Sequence, residues 1–255
     1  MATRVLLYHD VVPDGRWTES GFPEGHANVY KLTLEDFQIH LRHLRTACAA
    51  PVLITDRANS GWMLTFDDGG SSALEHIGPA LDTYGWRAHF FMTTGRLGAR
   101  GFLDGPGLRA LAAQGHLIGS HSVTHPLVMS ACSAAQLREE WRASIMTLAD
   151  HLGAQPTVAS IPGGAYSAAI AEAAAAAGIT QLFTSEPTPA TWRVNDVTCL
   201  GRYTLWRGMK PETAVAFATG QGLWPVRQRV EWEAKKVAKA LLGPGYQAIR
   251  RAVMP

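Results

Sequence analysis

The chain alternates repeatedly between short apolar runs and longer segments of helical spacing, and this limits the architectures open to it. Apolar runs of strand length fall at residues 5–9, 62–66, 88–92, 117–119, 157–161, 181–184 and 198–203. One helix is predicted to open at Thr33, with Asp36 three residues on and Phe37, Leu41 and Leu44 along one face. Others are predicted near 72–84, 107–114, 134–152, 167–177 and 211–219, and Gly85, Gly115, Gly153 and Gly178 stand where left-handed caps are wanted. Such alternation predicts parallel strands with helices outside, as an open doubly wound sheet or a barrel. In either case the chemistry gathers at the carboxyl ends of the strands. A length of 255 residues, 47% of them hydrophobic, suits one large domain. The expected division is a barrel over 1–225 and a C-terminal helix or tail over 226–255.

A net charge of +2, with 17% charged residues, excludes a general nucleic-acid binder. Cys48, Cys132 and Cys199 match no metal or redox spacing, so reduced structural thiols are expected. The first apolar run is too short for a signal peptide, and no stretch approaches the roughly 20 apolar residues of a membrane helix. The expected location is the cytoplasm. The tail is basic (Arg227, Arg229, Lys235, Lys236, Lys239, Arg250 and Arg251 against Glu231 and Glu233). Helical spacing puts Val226, Val230, Val237 and Leu241 near one face, away from Arg229, Lys236 and Lys239. Two readings follow: a helix packed on the barrel with a solvated basic side, or peripheral contact with an anionic inner membrane leaflet.

Two segments carry the chemical signal. Thr65-Phe66-Asp67-Asp68-Gly69-Gly70 puts adjacent carboxylates at a strand's carboxyl end, where like charges are costly without a cation or a shared proton. His121-Ser122-Val123-Thr124-His125 follows another strand and can converge two imidazoles on one ion. Two histidines and one carboxylate make a three-ligand set that leaves a position for water, as in catalytic zinc sites.

TFDDG followed by H-S-x-x-H resembles the polysaccharide deacetylases of the NodB-homology type, carbohydrate esterase family 4. The resemblance spans roughly residues 5–205 and implies an α/β fold, a distorted (β/α)7 barrel. It implies Asp67 as general base and Asp68, His121 and His125 as ligands of one divalent metal, zinc first, with cobalt, manganese or nickel as alternatives. Ser160-Ile161-Pro162-Gly163-Gly164 stands at the third motif, whose Gly163–Gly164 backbone would bind substrate and oxyanion. The implied reaction is hydrolysis of an N-acetyl group on an amino sugar. The implied partner is an N-acetylated oligosaccharide or polysaccharide, or a lipid-linked saccharide.

Two departures stand out. The motif-three arginine is Ser160 here, and the usual C-terminal Leu-x-His is absent. Leu7-Tyr8-His9 offers a Leu-x-His at the first strand instead, in the circularly permuted order of some exopolysaccharide and poly-N-acetylglucosamine deacetylases, making His9 the candidate general acid. Arg202 either replaces the missing arginine by pairing with Asp67 or is an ordinary strand-end surface residue. Asp10 either orients His9 or only ends the strand. Tyr166 and Trp192 stack on a sugar or pack internally, and Glu186 lines the cleft or is solvated. His40 and His43 read as surface histidines. The rival functions are an amidohydrolase of small amides and a non-catalytic sugar-binding protein on the same barrel.

Overall fold

The computed structural model describes residues 3–56, 61–164 and 166–242. One curled sheet organises the chain, in the order β11-β1-β4-β5-β6-β7-β8-β10-β9. Its strands are β1 (Arg4–Tyr8), β4 (Trp62–Phe66), β5 (His89–Met92), β6 (Leu117–Ser120), β7 (Val158–Ser160), β8 (Gln181–Phe183), β9 (Thr191–Val194), β10 (Val197–Leu200) and β11 (Tyr203–Thr204). All neighbours are parallel except the β9–β10 hairpin. A two-stranded ribbon, β2 (Val11–Val12) with β3 (Leu32–Thr33), stands apart. The outer face is covered by α1 (Leu34–Ala47), α2 (Gly78–Asp82), α3 (Gly105–Ala113), α4 (Ala134–Leu152), α5 (Ala168–Ala176) and α6 (Pro211–Thr219). The architecture is the expected (β/α) barrel, left incompletely closed: among the described residues β11 pairs only with β1.

Strand alternation explains what faces where. Leu6, Tyr8, Leu64, Phe66, Phe90 and Met92 pack outward against the helices. Val5, Met63, Phe91, Val158, Phe183 and Leu200 form a separate interior cluster. Continuing the inward set by steps of two leads from Val5 to His9 and from Met63 to Thr65 and Asp67. Tyr8 is in register with Phe66, and the Asp67 N–H donates to the Tyr8 carbonyl (3.1 Å), so His9 and Asp67 leave the sheet side by side.

Helix ends follow the sequence closely. Thr33 caps α1 through the Asp36 N–H, Ser133 forms a capping box with Gln136, and Gly153 closes α4 at φ 74°. The predicted run 198–203, however, is two strands, because the chain crosses the open seam at Gly201 and Arg202. A Cβ at Gly201 would lie 2.4 Å from the Glu186 carbonyl oxygen, so the crossing requires glycine. His40 is not a surface residue. It is buried, bonding the Tyr8 hydroxyl (3.1 Å) and the Met209 carbonyl (2.9 Å) and tying α1 to the sheet, whereas His43 is exposed near Glu212.

The tail forms α7 (Trp224–Leu242), and its valines do not pack: Val226, Val230 and Val237 are 61%, 62% and 56% exposed. The helix docks by another face. The Gln228 amide satisfies both the N–H (3.0 Å) and the carbonyl (2.8 Å) of Thr204, completing the free edge of β11 as a neighbouring strand would. Half-buried Trp232 lies against Gly164. The side chains of Lys239 and Leu241, and the segment with Arg250 and Arg251, lie outside the described residues. No helix among the described residues is long and apolar enough to cross a membrane.

Two buried histidines make stability depend on pH. His89 donates from Nδ1 to the Leu64 carbonyl (3.0 Å) and accepts at Nε2 from the Ile54 N–H (3.0 Å), which only the neutral ring can do. Burial lowers its pKa from 6.5 to about 4, and His116 likewise to about 4. The unfolded chain therefore binds more protons below pH 6.5, and stability falls as pH drops from 6.5 toward 4, by about 3 kcal/mol for His89. Urea unfolding across this range is expected to show the fall and His89→Gln to flatten it. An equally steep fall in the variant would show that this imidazole is not a source.

Candidate metal centre and catalytic site

The residues singled out at four strand ends converge. After β4 the backbone turns through left-handed Asp68 (φ 76°) and Gly69 (φ 81°). A non-glycine residue there is strained, and such strain persists where its surroundings hold it. The Asp68 carbonyl accepts from the Thr93 N–H (3.2 Å) and the Gly69 carbonyl from the Leu103 N–H (3.1 Å). Asp68 Oδ1 stands 3.5 Å from both His121 Nε2 and His125 Nε2, and the three ligand atoms lie within 4.8 Å of one another.

The donor chemistry fits a divalent cation. His121 Nδ1 donates to the Ser160 carbonyl (3.0 Å) and lies 2.6 Å from its hydroxyl, which assigns the proton to Nδ1 and leaves the Nε2 lone pair facing Asp68. Burial lowers the His121 pKa to about 3, and lowers that of His125, so both rings are neutral at pH 7, the form that can ligate a cation. Burial, with Asp10 and Asp67 nearby, raises the Asp68 carboxyl well above the usual range. A cation would relieve this.

Arg202 is no surface residue. It is fully buried and grips Asp67 with two parallel bonds, Nη1–Oδ1 at 2.7 Å and Nη2–Oδ2 at 2.8 Å. Its Nε donates to the Thr184 carbonyl (2.9 Å) and Nη1 also to the Thr65 hydroxyl (3.2 Å). Ser160, at the motif-three arginine position, donates to Asp67 Oδ1 (3.0 Å). Its small side chain leaves room for a guanidinium arriving from the chain crossing before β11. Burial pushes the Asp67 carboxyl up, but the charge of Arg202 and the bonds it donates outweigh it and hold Asp67 well below the usual carboxylate range.

His9 is half-buried, its ring against Tyr30 (centroids 4.8 Å apart), and its Nδ1 is buried without a hydrogen-bond partner among the described residues. Burial lowers its pKa to about 4, against the pull of Asp67. Asp10 does not orient His9. Strand alternation sends it the other way, where Oδ1 accepts from Ser20 (2.6 Å) and Ser72 (2.8 Å).

The remaining candidates divide. Gly163 is left-handed (φ 64°), with the Leu127 carbonyl where a side chain would go. The Gly164 N–H is already given to the Ile161 carbonyl (3.2 Å), which leaves Gly163 as the oxyanion candidate of the two. Tyr166 and Trp192 pack edge-to-face on each other at 5.2 Å beside the α4–α5 core, each partly buried. Glu186 turns toward Lys236 of α7 (3.9 Å).

Three residues near the centre carry no sequence signal. Phe22 stacks on His125 (4.8 Å). Lys31, 1% exposed, donates to the carbonyls of Trp17, Ser20 (2.8 Å) and Phe22 (2.7 Å) and so anchors the segment bearing Phe22. Glu140 of α4 binds the backbone of the histidine loop.

Comparison with known proteins agrees with this geometry. Residues 55–182 match the family Polysaccharide deacetylase. YxkH of Bacillus subtilis (strain 168) is 26% identical over 197 residues, a match covering 73% of this chain and 66% of that protein. The Streptococcus pyogenes deacetylase PplD, solved in complex with acetate, superposes with a TM-score of 0.71 at 19% identity, covering 86% of this chain and 98% of PplD. IcaB from Ammonifex degensii gives 0.67 at 21%, covering 88% and 97%. At these identities the two structures establish the fold.

Removing one partner of a buried ion pair leaves the other charge stranded, at a cost of about 3–5 kcal/mol. Arg202→Met is expected to lose that much in urea unfolding, and Arg202→Met with Asp67→Asn to recover most of it. Equal losses in the single and double variants would show that the pair is not the cause.

Proposed function

We propose, for a chain that belongs to the polysaccharide deacetylase family, a metal-dependent hydrolase that removes N-acetyl groups from N-acetylhexosamine residues. Its substrate would be an exopolysaccharide, an adhesin, or a lipid-linked precursor of one. The observation that carries this reading is the juxtaposition of an ionised Asp67, gripped by buried Arg202, with the Asp68–His121–His125 cluster: Asp67 Oδ2 stands 3.8 Å from His121 Nε2.

A divalent cation, zinc first and cobalt, manganese or nickel as alternatives, would polarise the acetyl carbonyl and acidify a water. Asp68, His121 and His125 would hold it. Asp67 would take the proton of the attacking water, and Arg202 keeps its carboxylate ready for that. Gly163 would donate its N–H to the charge developing on the acetyl oxygen. His9 would protonate the departing amine. Burial keeps the resting imidazole neutral, so the proton it delivers is one acquired during turnover, with the charge of Asp67 favouring its uptake. A proton donor so placed contributes about 10²–10⁴ in rate. Ser160 in place of the arginine and the absence of the C-terminal histidine are what favour the sugar-binding alternative. Arg202 on Asp67 meets the first point, and His9 beside Asp67 the second.

The test is amine release from N-acetylglucosamine oligomers by protein stripped of metal and reloaded with zinc. Release is expected to return with zinc in the wild type and to fall at least about 10²-fold in Asp68→Ala. Stoichiometric zinc binding without release would overturn the saccharide substrate. No zinc binding would overturn the mechanism.

A lipid-linked substrate also gives the outward stripe of α7 a place. Val226, Val230 and Val237 are exposed on a helix that also carries Arg227, Arg229 and Lys235, and Leu223, just before the helix, is exposed as well. Such a surface would lie against an anionic bilayer. Co-sedimentation with anionic liposomes at low salt, lost at high salt, is expected. A protein that stays in the supernatant at low salt would rule the contact out.

A further inference from the structure

The loop bearing the two histidines has an improbable backbone. Ser122 (φ 65°) and His125 (φ 56°) are both left-handed without being glycine, each at a cost of order 1–3 kcal/mol unless the surroundings impose it. Part of the restraint is local. The Ser122 N–H donates to the Ser120 hydroxyl (3.1 Å) and the His125 N–H to the Ser122 hydroxyl (3.1 Å). The segment after β5 adds more: the N–H groups of Thr94 and Gly95 donate to the carbonyls of Ser122 and Val123, each at 3.0 Å.

A further restraint is a side chain from a distant helix. Glu140 Oε2 accepts from the N–H groups of Val123 (2.8 Å) and Thr124 (2.9 Å), and Oε1 accepts from the Thr124 hydroxyl (2.6 Å). A carboxylate receiving two consecutive backbone N–H groups and a hydroxyl is a charge-assisted clamp, stronger than neutral hydrogen bonds. It acts on the two residues that separate left-handed Ser122 from left-handed His125. Among the described residues Glu140 makes no other hydrogen bond and no ion pair. Its helix is already fixed by buried Leu137, Trp141, Ile145 and Leu148, and the adjacent Glu139 pairs with Arg142 in solvent.

We propose that Glu140 is a positioning residue of the metal centre. By clamping the loop from the flank of α4 it fixes where His125 Nε2 stands relative to His121 and Asp68, and so sets the affinity and geometry of the site. This rests on the metal reading of the Asp68–His121–His125 cluster and extends it to a residue that touches none of the three side chains. Outer-shell partners of metal ligands commonly govern affinity by 10–100-fold, and here the partner acts through the backbone.

The test is zinc affinity of the full chain, measured by competition with a chromophoric chelator, alongside thermal unfolding of the metal-free protein. Glu140→Ala is expected to raise the zinc dissociation constant about 10–100-fold while the metal-free protein unfolds cooperatively near the wild-type temperature. Glu140→Gln, which keeps one acceptor, should fall between, and Glu139→Ala should match the wild type. Cobalt loaded in place of zinc supplies a signature that a packing role would not move: a weakened and shifted visible absorption in Glu140→Ala. If the wild type binds zinc and Glu140→Ala binds it within about threefold as well, the role of Glu140 is overturned and the metal centre stands. A wild type that binds no zinc overturns both.

Discussion

The Asp67–Arg202 pair is the constraint around which the interior is arranged. Two full charges lie inside a parallel sheet, where an unpaired carboxylate would be intolerable and a paired one is acceptable only with every donor committed. Arg202 accordingly spends its donors on Asp67, Thr65 and the Thr184 carbonyl, and its guanidinium lies over the Phe91 ring at 5.7 Å. For a guanidinium to reach the axis, the last strand has to break. Gly201 permits the crossing, and the seam it opens between β10 and β11 is covered by α7, whose Gln228 replaces the missing strand on Thr204. The incomplete barrel and the docking of the tail thus follow from delivering one positive charge to one carboxylate.

That dependence also marks the limit of what the sequence discloses. The strand ends were legible because inward alternation and glycine-rich turns are local patterns, so Asp67, Asp68, His121 and His125 could be placed before any fold was known. Arg202 could be nominated but not decided, because its partner is 135 residues away and the break at Gly201 is hidden in an apolar run that reads as one strand. His40 was misread for a similar reason. Its helix carries polar neighbours, and only the sheet and the Met209 carbonyl, 169 residues on, make it an interior residue. The valine stripe of α7 left two readings open for a different reason, since apolar spacing identifies a face but not what it meets. This helix is held by an amide and an indole instead.

Asp10 illustrates how a residue adjacent to the chemistry can belong to the scaffold. Any Cβ at Gly21 or Gly70 would collide with its carboxylate, so both glycines are fixed by Asp10 rather than by a ligand. Its bonds to Ser20 and Ser72 lock the turn after Asp68 to the segment that Lys31 ties down through three carbonyls. Along that segment Phe22 rests on His125 and Tyr30 on His9. A buried carboxylate and a buried ammonium thereby place an aromatic ring on a metal-ligand candidate and another on the acid candidate.

The site is therefore held at two levels. Side chains at strand ends supply the reactive groups, and a ring of charged anchors on other elements (Arg202 before β11, Lys31 and Asp10 around the β2–β3 ribbon, Glu140 on α4) fixes the backbone on which those groups stand. Arg202 and Lys31 satisfy a carboxylate and main-chain carbonyls inside the fold, Asp10 accepts from two serine hydroxyls, and Glu140 accepts from the backbone of the histidine loop at its surface. This is why the motifs alone locate the chemistry without defining it. The loops that carry Asp68, His121 and His125 are bonded by side chains that the motifs do not contain as well as by motif residues such as Ser122, and those outside side chains come from segments brought together only when the whole sheet has curled.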